Sequence, residues 1–185
     1  MRCVSVLVAS LMLGGCALDP FVTVFGETYT GYAGNWLIED NVDPITGIAV
    51  PSARILTIRS SSASLDFFAK PATMQLTCSG KDPVIKFAYD FKVGSSINSI
   101  FGYRFDERPG QDTINARFLQ GAKSVVIEDR ATVAKFIKDM EGANKLVVRT
   151  RSFNAGRSVT EFDVSGSVQP VQRAFASCPF ELPPA

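Results

Sequence analysis

The densest group of side chains that could do chemistry is the charged run that contains Arg104, Asp106 and Arg108. Alternate residues of a strand share a face, so these three side chains could pair or hold a polar ligand. The alternative, which we favour, is a solvated face with weak ion pairs worth about 0–1 kcal/mol each. Asp106 and Asp112 could also form the carboxylate pair of a hydrolase. Nothing in the sequence, however, places these two carboxylates across a cleft.

The sequence contains no histidine. This absence removes the commonest general base near neutral pH and the commonest zinc ligand. It also excludes hydrolases of the Ser-His-Asp and Cys-His types. A glycine-rich phosphate loop, a calcium-binding loop and a C-x-x-C motif are missing as well. We therefore expect a protein that is not an enzyme and that binds neither a metal nor a cofactor.

The N-terminus carries a motif that could undergo covalent chemistry at Cys16. Arg2 precedes the apolar run Val4–Leu13, which is shorter than the roughly 20 residues needed to span a bilayer. The segment Leu13-Gly14-Gly15-Cys16 then resembles the lipobox of bacterial lipoproteins. The resemblance implies that residues 1–15 are removed and that Cys16 is acylated. The alternative is an ordinary secretory leader in which Cys16 is incidental.

The residue after Cys16 is alanine rather than aspartate, which by analogy with enteric bacteria favours the outer membrane, facing the periplasm. The inner membrane and the cell surface remain open. Several acyl chains on one cysteine would give lasting attachment. Without residues 1–15 the chain has 18 basic and 18 acidic residues, so its charge gives no support for binding nucleic acid.

If residues 1–15 are removed and Cys16 is acylated, Cys78 and Cys178 are the remaining cysteines. Two thiols in an exported chain most simply form a disulfide. The bridge would close a loop of about 100 residues and stabilise the fold by up to about 4–5 kcal/mol. The alternative is a pair of free, reactive or metal-binding thiols.

Hydrophobic periodicity predicts a β-rich domain. Alternation is clearest at Ile85, Phe87 and Tyr89, where every second residue is apolar. The predicted strands are 35–40, 53–60, 64–68, 73–78, 84–92, 100–106, 115–119, 124–127, 146–151 and 160–164. One main helix is predicted over about 130–141, with Asp129 as N-cap and Gly142 after its end, and a short helix over 171–176. We expect an antiparallel β-sandwich or squat barrel of roughly eight to ten strands.

The domain organisation follows from these elements. Residues 1–15 are predicted to be the signal peptide and 16–34 a lipidated tether. A single β-rich periplasmic domain is expected over 35–180, followed by a tail at 181–185.

Residues spread over about 35–180 resemble two related groups of proteins, the invasion-associated locus B proteins and the VasI-type accessory proteins of type VI secretion. The features that carry the resemblance are Trp36, Leu76-Thr77-Cys78-Ser79, Tyr103-Arg104-Phe105-Asp106 with Pro109, Ala134-Lys135-Phe136-Ile137, Leu146-Val147-Val148-Arg149, Phe162-Asp163-Val164-Ser165-Gly166 and Cys178. The resemblance implies a β-rich periplasmic domain with a disulfide between the Cys78 strand and the C-terminal segment. It implies no catalytic chemistry. The lipobox departs from many such proteins, which have a plain signal peptide.

Two functions are compatible with the sequence. The first is a lipid-anchored, non-enzymatic interaction or structural module of the cell envelope that binds an envelope protein, for example as an accessory of a secretion or surface apparatus. The second is a periplasmic carrier of an apolar ligand or lipid, with a cavity inside a small barrel. Phe67-Phe68 and Ile100-Phe101 place apolar side chains on both faces of their strands. These side chains either fill the core or expose an aromatic strip to a partner or to lipid.

Overall fold

The computed structural model describes residues 23–24, 27–62, 70–95, 97–119, 121–153 and 155–180. The predicted signal peptide, Cys16, the predicted strand 64–68 and the tail 181–185 lie outside the described residues.

The described residues form thirteen strands and two helices. The strands are β1 (Thr23–Val24), β2 (Glu27–Ala33), β3 (Trp36–Val42), β4 (Ala49–Thr57), β5 (Ser60–Ser62), β6 (Ala72–Ser79), β7 (Asp82–Tyr89), β8 (Ser99–Phe105), β9 (Gln111–Ile114), β10 (Arg117–Leu119), β11 (Ser124–Ile127), β12 (Lys145–Ser152) and β13 (Gly156–Asp163). The helices are α1 (Arg130–Met140) and α2 (Val168–Ala174).

The strands form two antiparallel sheets that pack as a sandwich. The larger sheet has the order β1-β2-β3-β4-β6-β7-β11-β10, and the smaller has the order β5-β13-β12-β8-β9. The predicted class, a mostly β antiparallel sandwich with one main helix and a short C-terminal helix, is confirmed. The strand number exceeds the prediction because β1, β5 and β9 are only two to four residues long and because β2 falls within the predicted tether. Such short segments are too brief to show alternation.

The chain first crosses from the larger sheet to the smaller sheet in the segment between β4 and β5. β4 ends at Thr57 in the larger sheet, and Ser60 already pairs with Thr160 in the smaller sheet. Glu161 N donates a hydrogen bond to Arg59 O at 3.0 Å, which ties the crossing segment to β13. The prediction of one strand over 53–60 therefore merged parts of two strands that belong to different sheets.

The predicted tether, residues 16–34, ends earlier than expected. Glu27–Ala33 forms β2 and pairs with β3, which places these residues inside the larger sheet. Gly31 adopts φ +133° beside an irregularity in this pairing. Glycine tolerates this backbone conformation at little cost, so the glycine-rich composition that indicated a tether belongs instead to an irregular strand.

The core consists of aromatic and aliphatic side chains from the inner faces of both sheets. The centroid of the Phe87 ring lies 5.3 Å from the ring centroid of Phe101, 6.0 Å from that of Phe162 and 6.2 Å from that of Phe136. Phe87 comes from the larger sheet, Phe101 and Phe162 from the smaller, and Phe136 from α1. Each ring is almost fully buried. The alternation predicted for β7, together with the same alternation along β8, produces this arrangement.

α1 begins and ends where the sequence predicts. The Asp129 carboxylate accepts a hydrogen bond from Thr132 N at 2.8 Å, which satisfies one of the free N–H groups of the first turn. Gly142 adopts φ +65° just after the helix, where a left-handed residue is favoured. α2 starts at Val168, three residues earlier than predicted, and Pro170 lies in its first turn, where proline is tolerated.

The predicted disulfide is present. Cys78 at the end of β6 is bonded to Cys178 just beyond α2, with their Cα atoms 5.8 Å apart. Both cysteines are buried. The bridge holds α2 against the larger sheet, where Arg173 also forms an ion pair with Asp40 at 2.9 Å.

Candidate functional site

The predicted polar trio is separated by the end of β8. Arg104 lies on the strand and is exposed, whereas Asp106 and Arg108 follow the strand. Asp106 adopts φ +46°, and its carboxylate accepts hydrogen bonds from Lys145 N at 2.8 Å and from Asn144 N at 3.2 Å. Asp106 therefore holds the start of β12 and does not share a binding face with Arg104.

Arg108 is also engaged in a structural contact. Its guanidinium donates to Asp139 O at 2.6 Å and to Glu141 O at 3.0 Å, so it binds the free carbonyl groups at the C-terminal end of α1. Tyr103 contacts the same helix turn, because its hydroxyl donates to Asp139 Oδ2 at 2.9 Å. Burial, together with this hydrogen bond, raises the pKa of the Tyr103 hydroxyl above its ordinary value.

Arg104 instead belongs to the outer face of the smaller sheet. The outward residues of β12 are Lys145, Val147, Arg149 and Arg151, because Leu146, Val148 and Thr150 point into the core. The strand pairing places Val147 opposite Arg104.

The same pairing brings more arginine onto this face. Arg149 lies opposite Gly102 of β8 and Val159 of β13, and Arg151 lies opposite Arg157. The face thus carries the guanidinium groups of residues 104, 149, 151 and 157, and we call it the basic face. Glu161 of β13, opposite Val147, adds a carboxylate to the same face.

A groove of about 350 Å³ opens on the basic face. Its lining includes Gly102, Val147 and Val159 together with Arg104 and Arg157. A Cβ atom at Gly102 would lie 2.8 Å from both Asp112 Oδ1 and Gln111 O, distances that real Cβ atoms do not show. Glycine at this position is therefore needed for β9 to pack closely over β8.

Asp112 of β9 is the carboxylate at the rim of the groove. Its Oδ2 accepts hydrogen bonds from Arg149 Nη2 at 2.8 Å and from Arg151 Nη2 at 2.9 Å. The hydrogen bond from Arg149 is the main reason why the pKa of Asp112 is lowered. Within the described part of the chain, Arg104 and Arg157 form no ion pair. The groove therefore has two guanidinium groups available to an external acceptor.

Sequence reasoning identified Arg104 but missed the arginines at 149, 151 and 157. The sequence did indicate that Arg149 and Arg151 share a face, since they are alternate residues of a correctly predicted strand. What the sequence does not reveal is the strand order, which makes β8, β12 and β13 neighbours. The carboxylates of Asp106 and Asp112, which the sequence suggested as a conceivable pair, have separate partners. Asp106 accepts hydrogen bonds from backbone N–H groups, and Asp112 forms ion pairs with two arginines.

A second polar cluster lies on the larger sheet. Glu39 is 1% exposed, and its carboxylate accepts a hydrogen bond from Ser52 Oγ at 2.8 Å. Arg54 Nε lies 2.8 Å from Glu39 Oε1. A buried carboxylate needs both an opposite charge and hydrogen bonds, and these two neighbours provide them. We therefore assign this cluster a structural role.

Other kinds of site find no support among the described residues. In that part of the chain, no group of three cysteine, aspartate or glutamate side chains is arranged to hold a metal ion. Neither of the two described helices has the length and apolar character required to cross a membrane. Comparison of the chain with protein-family models, with curated proteins and with solved structures finds no match.

Proposed function

We propose that this chain is a lipid-anchored, non-enzymatic interaction module of the bacterial cell envelope that binds an acidic surface of a partner protein through its basic face. The observation that carries the proposal is the open groove beside two guanidinium groups, Arg104 and Arg157, that have no ion-pair partner among the described residues. The anchor is the acylated Cys16, and the outer membrane, facing the periplasm, is the proposed location. An accessory role in a secretion or surface apparatus fits such a module.

The chemistry of the basic face supports a binding role. A guanidinium group presents a planar set of N–H donors that matches a carboxylate, and arginine is enriched in protein interfaces. Asp112 already demonstrates this recognition within the chain, because its carboxylate bridges Arg149 and Arg151. An acidic side chain of a partner would make the equivalent contact with Arg104 or Arg157.

The face also combines apolar and charged side chains. Val147 and Val159 provide apolar area among the charges, which is the mixture that interfaces show. The alternative, a carrier of an apolar ligand, would need space between the sheets. That region is occupied by the ring of Phe87 and by three rings around it. The centroids of Phe101, Phe136 and Phe162 lie 5.3 to 6.2 Å from that of Phe87.

Site-specific photocrosslinking in cells tests the proposal. A photoreactive residue at Val159 lies in the groove, whereas the same residue at Thr73 lies on the outer face of the larger sheet and is the matched control. We expect a discrete protein adduct from position 159 that is weakened by R104E combined with R157E. Equal adducts from both positions, or an adduct at 159 that survives the charge reversal, would contradict the proposal.

A further inference from the structure

The hairpin between β12 and β13 ends in an aromatic side chain that packs on nothing. Phe153 follows the last residue of β12 and is 93% exposed. Transfer of a phenylalanine side chain from water to an apolar environment is favourable. Its placement at a hairpin tip therefore leaves a large favourable transfer free energy unused in the isolated chain.

Two further exposed apolar side chains lie beside this tip. Ser99 at the start of β8 pairs with Ser152 at the end of β12, which brings the loop before β8 next to the hairpin. Ile97 in that loop is 70% exposed, and Ile100 on the outer face of β8 is 37% exposed. We call Phe153, Ile97 and Ile100 together the apolar tip.

Positive charge lies directly behind the apolar tip. Arg151 and Arg157 are paired across β12 and β13, two strand positions from the end of the hairpin. Arg151 also lies opposite Ile100 on β8. The carboxylate that contacts this group is Asp112, which binds Arg151 at 2.9 Å and leaves Arg157 without an ion pair among the described residues.

We propose that the apolar tip inserts into the surface of a membrane that contains anionic phospholipid, with Arg151 and Arg157 on the lipid phosphates. Strand residues rise about 3.3 Å each, so Phe153 reaches about 7 Å beyond Arg151. That distance matches the roughly 5–10 Å to which apolar side chains enter the boundary between headgroups and acyl chains. The row of guanidinium groups matches the negative charge of the headgroups. This site lies at the end of the sheet; it shares Arg157 with the groove, but its apolar tip goes beyond the proposed protein interface.

A second hairpin of the chain provides an internal comparison. Ile45, at the turn between β3 and β4, is 92% exposed and is equally prominent. Its neighbour is acidic rather than basic, because the Asp43 carboxylate accepts hydrogen bonds from Ile45 N at 2.9 Å and from Thr46 N at 2.8 Å. A negative charge beside an apolar side chain is repelled by anionic lipid, so this tip is the matched control.

Vesicle flotation of the purified mature chain, residues 16–185 with C16S, tests the proposal, since this protein carries neither the apolar run of the leader nor acyl chains on residue 16. The vesicles are phosphatidylcholine alone or phosphatidylcholine with phosphatidylglycerol. We expect binding to the mixed vesicles, a loss of about tenfold in F153S and a loss of about fivefold for each of R151A and R157A. I45S should bind like the parent. In F153W, the added tryptophan should shift its emission to shorter wavelength on the mixed vesicles.

Several results would overturn the proposal: equal losses for F153S and I45S, equal binding to both kinds of vesicle, or an F153W emission that does not respond to lipid. Trp36 is fully buried and contributes a constant background to that measurement. A failure here is distinguishable from a failure of the proposed protein interface, because the adduct at Val159 is measured separately and does not require Phe153.

Discussion

Substitutions of Asp106 should destabilise the fold in a defined order, because this residue combines a left-handed backbone with two hydrogen bonds to the start of β12. Replacement by alanine removes the charged acceptor, whose hydrogen bonds contribute about 1.5–3 kcal/mol when desolvated and less at this half-buried position. Alanine at φ +46° adds about 1 kcal/mol of strain. We expect D106A to lower the free energy of unfolding by about 2–3 kcal/mol.

Two further variants separate the two causes. D106G should relieve the strain but still lack the acceptor, so its loss should be smaller than that of D106A. D106N keeps a side-chain carbonyl and tolerates the left-handed region, so it should lose about 1 kcal/mol or less. The neighbouring exposed residue provides the control, and E107A should change stability by less than about 0.5 kcal/mol.

Urea unfolding followed by the fluorescence of Trp36, the single tryptophan, measures these differences. In a thermal experiment each kcal/mol corresponds to a shift of about 2–4 °C in Tm for a chain of this size. The structural interpretation of Asp106 is refuted if D106A is as stable as E107A and yet loses the crosslink at the groove. That outcome would instead support the role considered from the sequence, in which Asp106 helps to bind a polar ligand.

Three further predictions concern the anchor, the disulfide and the rim of the groove. C16S should abolish incorporation of labelled palmitate and the lasting membrane attachment that acyl chains provide, leaving only the reversible contact of the apolar tip, without unfolding the domain; continued labelling would exclude the lipobox. Reduction of the Cys78–Cys178 bridge, or replacement of both cysteines by serine, should lower the free energy of unfolding by up to about 4–5 kcal/mol. Two free thiols per denatured, unreduced chain would contradict the bridge. The lowered pKa of Asp112, caused mainly by the hydrogen bond from Arg149, means that its stabilising contribution is present above its unfolded pKa of about 4. That contribution should be lost as the pH falls through the lower folded value. An acid unfolding curve that is unchanged in D112N would argue against it.

The regular elements could be predicted because their sequence patterns are local. The alternation of Ile85, Phe87 and Tyr89 sets the inner face of β7, and the cap at Asp129 sets the start of α1. Each of these two signals is contained in a segment of about ten residues, so no knowledge of the tertiary fold is required.

The candidate site depends on contacts between parts of the chain that are distant in sequence. This is why the site predicted from the sequence differs from the one in the structure. Asp106 and Arg108 continue the polar alternation of β8, but their partners lie 31 to 39 residues further along the chain. Gly102 shows no chemical character in the sequence, yet its missing Cβ allows β9 to lie over β8. The groove could therefore be found only once the strand order was known.

The bridge between Cys78 and Cys178 has a consequence for the covalent connectivity of the molecule. It converts residues 78–178 into a closed ring that contains α1, α2 and the whole basic face. A single protease cut at the exposed Phe153 opens this ring, but both pieces stay covalently joined and migrate together on a gel until a reductant is added. A cut between β3 and β4, outside the ring, releases the preceding segment from the rest of the chain once the protein is denatured, with or without reductant.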